Sequence, residues 1–204
     1  GSTIALERVA WTNDTTRATA LVRQDGVLVK SGDASRRYVG TIRGSAPGVT
    51  EDSAAKRFVW NAYNRVLRPL LVRESTASWT YTAATVRQAN AATANQVEVV
   101  LGLAEDLIDL HLAVLSFHNT SGISIEVGIG EDSTTAYVAG QFPQLAFLDG
   151  AGAGHLHSIL RKIPAIGYHK YTWLEANPSG TGTSTFYGLS SGIYRSGMVG
   201  TLVG

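Results

Sequence analysis

The chain of 204 residues carries 17 Lys and Arg against 16 Asp and Glu, a net charge of +1, with 22 glycines and no cysteine. This balance supplies no basic stripe for a phosphate backbone, and the missing thiols exclude disulfide frameworks, thiolate zinc sites and cysteine nucleophiles. At 16% charged residues against about 25% in typical soluble domains, the surface must be dressed in Thr, Ser, Asn and Gly, and no run reaches the ~18 apolar residues of a membrane-crossing helix.

Gly1-Ser2-Thr3-Ile4 lacks the basic and apolar regions of a signal peptide, and a leading Gly-Ser is equally what a cloning scar or an internal cut leaves. The first stretch alternates β-rich runs (3–11, 17–23, 27–31, 36–43) with turn signals such as Gln24-Asp25-Gly26 and Gly32-Asp33. Asp-Gly between β-branched runs is a strong hairpin signal, because Gly takes the positive φ that primed turns demand. A β-meander module over 1–48 is expected.

Residues 49–204 form the second expected unit, opening with a helix. Thr50-Glu51-Asp52-Ser53 supplies a cap and two acids, Ala55, Phe58, Val59, Ala62 and Val66 recur at helical spacing, and Pro69 closes the segment. Phe58, Trp60 and Tyr63 would then span more than one helix face, which predicts core and interface anchors and a homotrimer. Strand grammar returns at 70–74, 78–86, 96–103, 107–117, 123–129, 134–141, 155–163, 167–176, 183–189 and 197–203. Leu107, Leu110 and Val114 also fit a helical stripe, but 107–117 is read as strand. Strands 168–174 and 184–188, joined by Asn177-Pro178-Ser179-Gly180-Thr181-Gly182, read as a hairpin. Eight to ten strands after a single helix, with no fixed repeat, predict an all-β fold: a jelly-roll-like antiparallel β-sandwich with an N-terminal β-meander and one amphipathic helix.

Two stretches carry a resemblance. Ala10-Trp11-Thr12-Asn13-Asp14-Thr15-Thr16-Arg17-Ala18 through Tyr38-Val39-Gly40-Thr41-Ile42, then the segment from Glu51 to Val66 with Phe58-Val59-Trp60-Asn61-Ala62-Tyr63, resemble a module of structural proteins encoded by tailed bacteriophages, and the likeness runs on through Arg87-Gln88-Ala89-Asn90. What the resemblance implies is a virion surface protein, either a tail-fibre tip or a capsid decoration protein, commonly trimeric. It brings no catalytic residues with it.

The residues themselves offer few chemical constellations. His155 and His157, two apart on a strand, would share a face and offer two imidazoles to one ion, and three such pairs around a three-fold axis would offer six nitrogens. The Gly-rich 150–154 stretch beside them reads as a flexible loop, so they are weak candidates, and neither metal nor cofactor is expected. The dense acids Glu105, Asp106 and Asp109, or Glu131 and Asp132, fall in apparent turns rather than a cleft that raises one pKa. Ser124 lacks the elbow glycine of a hydrolase, and Gly128-x-Gly130 lacks the helix of a phosphate loop. Aromatics remain: Trp173 and Tyr187 flanking the 177–182 loop, with Asn177 and Thr181, would suit sugar stacking plus hydrogen bonds, and Tyr168, Tyr171, Phe186 and Tyr194 lie nearby; the competing reading is that alternate members of this set pack into the sandwich core or a subunit interface. Loops 149–154 and 177–182 are the expected recognition loops.

The sequence thus points to a non-enzymatic trimeric fibre or receptor-binding domain. Its expected partners are other virion proteins and a host surface polysaccharide, without nucleic acid binding or membrane insertion. A capsid decoration protein and a polysaccharide depolymerase are the rivals.

Overall fold

The computed structural model describes residues 4–139, 144–147 as backbone, 152–188 and 196–204. Eight ladder positions follow one another from residue 67 onward, and three of them are shared by two short strands in line. In chain order they are Leu67–Arg73 with Ser78–Tyr81, Arg87–Gln88 with Gln96–Leu101, Ile108–His118, Ser124–Glu131, Gln144–Phe147, Gly152–Lys162, Gly167–Ala176, and Ser184–Tyr187 with Gly197–Val203. Numbered that way, the first sheet has the order 1-8-3-6 and the second 2-7-4-5, with antiparallel pairing between neighbours. This double Greek-key order is that of a jelly roll. Lys56–Arg57 extends the second sheet by pairing parallel to Gln96–Leu101.

Period-two alternation explains the strands. Leu110, Leu112 and Val114 point inward while Asp109 and His111 point out, so the periodicity of 108–118 is that of a strand and not of a helical stripe. Ile125, Val127 and Ile129 face them from the second sheet, fully buried with Val97, Val99 and Leu101. Trp79 packs edge-on to Trp173 at 5.6 Å and stacks on Phe186 at 5.8 Å, tying the two inner faces together. Where the eighth position is interrupted, Ser196 Oγ fills the ladder gap: it accepts from Leu115 N at 3.0 Å and donates to Tyr187 O.

The helix expected at 54–66 is absent; the segment holds the strands Lys56–Arg57 and Val59–Asn61. Phe58 and Trp60 alternate inward, at 3% and 1% exposure, while Val59 pairs with Ile42. Packing of these β-favouring residues overrode the helical spacing. Asn61 Oδ1 then accepts from Tyr63 N and Asn64 N at 2.9 and 3.0 Å, a local turn that competes with a helical turn. The expected 168–174 to 184–188 hairpin is also replaced. Gly167–Ala176 already has strands on both edges, so the chain crosses through 177–182 to the other sheet. The described part of 134–141 is not a strand either, since Ser133 Oγ draws Thr135 N and Ala136 N into a turn.

At the N-terminus, Leu21–Gln24, Val27–Lys30 and Asp33–Arg37 form the expected meander, turned at Asp25 and Gly26 with φ of 48° and 82°. Gly40–Ile42 pairs with Val59–Asn61, so ladder bonds cross residue 48. Gly102 lets the meander dock: a Cβ there would strike Tyr38 Oη and the Trp60 ring.

Candidate functional site

The residues singled out from the sequence do not converge on one exposed surface, although Asn177 touches Thr181 and the His155 and His157 rings stack. Trp173 has 0% exposure on the inner face of the second sheet, so it offers no ring to a sugar. Asn177 is equally buried and caps its own loop: its Nδ2 donates to Thr181 O at 3.2 Å and Gly182 O at 3.3 Å, and its Oδ1 accepts from Ser179 Oγ at 2.9 Å. Thr181 is exposed, while half-buried Tyr187 pairs with Leu115 on the outer face of the first sheet. Phe58 and Trp60 are core residues of this chain. Only Tyr63 is exposed, at 54%, and its Oη accepts from Arg37 Nε at 2.6 Å. Tyr194 and residues 148–151 lie outside the described residues, and Gly152 to Gly154 belong to a strand.

The acids are engaged. Glu105 and Asp106 hold Arg65, Asp109 holds Arg161 at 2.5 Å and His111 at 3.1 Å, Glu131 holds Lys162 at 2.6 Å, and Asp132 holds His169 at 2.8 Å. Glu175 was not singled out, yet among the described residues it is the most deeply buried carboxylate. Trp79 Nε1 donates to it at 2.7 Å, Arg87 Nε at 2.9 Å and Asn90 N at 3.1 Å. Burial pushes its pKa up, and the Trp79 and Arg87 donors offset only part of that. Asn90 also donates to Glu74, and it sits with Ala91 at positive φ, 55° and 50°, so the turn is held by this network against its own strain. The network knits Ser78–Tyr81 to the second sheet and is structural.

The concave site lies elsewhere, between the meander and the end of the second sheet. A cleft of about 1370 Å³ opens there, lined by Arg8, Arg17, Lys30, Arg36, Arg37 and Arg43 against the acids Glu7 and Asp14. Its floor is a stack. The Arg17 guanidinium lies 4.8 Å from the Trp11 ring and 5.1 Å from Tyr38, Tyr38 stacks on Trp60 at 6.1 Å, and Arg65 lies 5.2 Å from that same Trp60 ring. Arg17 also donates to Gly102 O and to Tyr38 Oη at 3.2 Å. On the far wall Arg43 lies 3.6 Å over the Tyr168 ring and 2.5 Å from Asp14. Burial raises the pKa of both Tyr38 and Tyr168. Chemically the cleft offers guanidinium donors and flat ring surfaces to an anion with apolar faces. The sequence signal was there, as arginines interleaved with aromatics in the first 65 residues, but only the meander's docking brings them together.

No protein-family model and no curated protein matches the chain. Among solved structures it is similar to a chain in the structure of infectious bursal disease virus Gx strain, at 11% identity and a TM-score of 0.30, covering 99% of this chain and 57% of that one. At that score the likeness carries no argument. The class is defined by the strand order itself: a jelly-roll β-sandwich with an N-terminal β-meander docked on one sheet.

Proposed function

We propose that the chain is a non-enzymatic structural protein of a bacteriophage virion surface, and that its cleft holds a carboxylate-bearing host polysaccharide. The cleft carries this reading: six cations against two carboxylates beside Trp11, Tyr38 and Tyr168 match the charges and ring faces of an acidic glycan. The resemblance of residues 10–42 and 51–66 to phage structural proteins supports the virion setting, and jelly rolls recur in capsid and lectin domains. The engagement of each singled-out acid with a basic side chain favours binding over glycoside hydrolysis. The trimer argument lost its premise with the helix.

The test pairs location with adsorption. Gold-labelled antibody should mark the fibre tip, and the isolated chain should block phage adsorption, with the block at least about tenfold weaker for Arg8→Ala combined with Arg37→Ala. Capsid labelling without blocking would support the decoration protein instead, and release of reducing ends from host polysaccharide would support the depolymerase.

A further inference from the structure

Among the cations that line the cleft, Arg17 stands apart. Lys30 and Arg36 reach Glu7, Arg43 reaches Asp14, and Arg8 and Arg37 are exposed to water, whereas Arg17 is half-buried and makes no ion pair with a described residue. Its Nη2 donates to Gly102 O and Tyr38 Oη, which leaves the Nε and Nη1 donors without an acceptor among the described residues. A guanidinium drawn partly out of water without a counter-ion costs free energy that a bound anion recovers. Beside it lies a second cavity. A space of about 420 Å³ opens between the hairpin of Trp11–Asn13 and Thr16–Arg17, the meander and the end of the sandwich, and half-buried Leu21, Leu28, Leu103 and Ile166 give it apolar walls. Thr16 also lines it, exposed, with a hydroxyl that bonds no other described residue. Arg17, Ala20 and Leu21 line both this space and the cleft, so the two share one wall.

We propose that the acidic sugar held by the cleft is acyl-substituted, its carboxylate pairing with Arg17 and its acetyl group filling the second cavity. This rests on the reading of the cleft as an acidic-glycan site and adds which sugar that site selects. The two spaces meet at one guanidinium, so the charge and the apolar group must sit close together on one ligand. A bare uronate satisfies Arg17 but leaves the walls of Leu21, Leu28, Leu103 and Ile166 against water, whereas an ester or amide methyl removes that area from water. The Thr16 hydroxyl is a donor for the acyl carbonyl, which loses a water partner on entry. The rings of Trp11 and Tyr38, 4.8 and 5.1 Å from the Arg17 guanidinium, hold its donors in place before the ligand arrives, which lowers the ordering cost of binding. Selection is then two-sided. A neutral acetylated sugar leaves Arg17 without a counter-ion, and an acidic sugar without the acyl group leaves the cavity unfilled.

The experiment is isothermal titration calorimetry of the full chain with a short oligogalacturonate and with the same oligosaccharide O-acetylated. The acetylated form should bind about tenfold tighter. Arg17→Lys should weaken both forms at least about tenfold, and Thr16→Phe, which sends a ring into the cavity from an exposed position, should bring the two affinities together. The second variant keeps the test independent of any effect of Arg17 on the docking of the meander. Equal affinities for the unaltered chain, or a preference that survives Thr16→Phe, would overturn the acyl subsite and leave the acidic-glycan cleft standing. Binding of both forms that Arg17→Lys leaves unchanged would overturn the carboxylate's pairing with Arg17. Binding of neither form would overturn the reading of the cleft and this proposal with it.

Discussion

The Val27–Lys30 strand of the meander and the Gly167–Ala176 strand of the sandwich each have a strand on either edge, yet their surroundings differ. In the first only Val29 is buried; in the second the run from Tyr171 to Ala176 is buried throughout. The sandwich is held by dry apolar contact between two sheets, a non-directional force that scales with area. The meander has little such area and is held at its base by arginines stacked on rings, by ion pairs and by one ladder to Val59–Asn61. It also carries seven cations against four acids over residues 1–48, while the chain as a whole is nearly neutral. A well-packed body and a weakly cored, cationic module can divide stability and recognition between them.

The largest expected effect lies in the body. Trp173→Ala should lower global stability by about 3–5 kcal/mol, the usual cost of emptying a buried aromatic site, measured by urea denaturation, with the meander's turns retaining their spectra at low denaturant. A smaller loss would mean that the aromatic cluster does not join the sheets. Next, Gly102→Ala should cost about 1–3 kcal/mol through overpacking against Trp60 and Tyr38. Its signature should be faster proteolysis within residues 8–43 with the sandwich intact, whereas an equal loss in both regions would show that they unfold as one unit. Arg17→Ala should remove about 0.5–2 kcal/mol of cation–π contact, seen as faster amide exchange in 21–37 and not in 108–118.

The pH response sharpens the same contrast. Burial raises the Glu175 pKa in the folded chain above its ordinary value, so between those two values the folded state keeps a proton that the unfolded state has lost. Stability from this group is full below the ordinary value and falls as pH rises through the raised one. Glu175→Gln should remove that fall from urea titrations above pH 4. A pH dependence unchanged by the substitution would show that the carboxylate ionises in the fold at no cost.

The sandwich was legible because burial on one face writes period two into Ile108–His118 and Ser124–Glu131, and Asp25-Gly26 announced its own turn. The segment around Phe58-Val59-Trp60 was misread because its apolar residues fit both periods, and the choice was made by Ile42 and Gly102, distant in sequence. Trp173 and Tyr187 suit a ligand platform only while a hairpin sets them side by side on one sheet; the crossover instead sends Trp173 to the inner face of the second sheet and Tyr187 to the outer face of the first. The cleft was hidden for a related reason: Arg17, Tyr38, Trp60 and Tyr168 come from four separate segments, and no local spacing links them.

Amide hydrogen exchange of the full chain, with and without a uronate-rich oligosaccharide, tests the central division of labour most directly. Added protection should fall on residues 36–43 and 166–168, around the cleft, and weaken with salt as guanidinium pairing does, while 177–182 should not change. Protection at 177–182 with none around Arg43 and Tyr168 would contradict the account and return recognition to the sandwich loops.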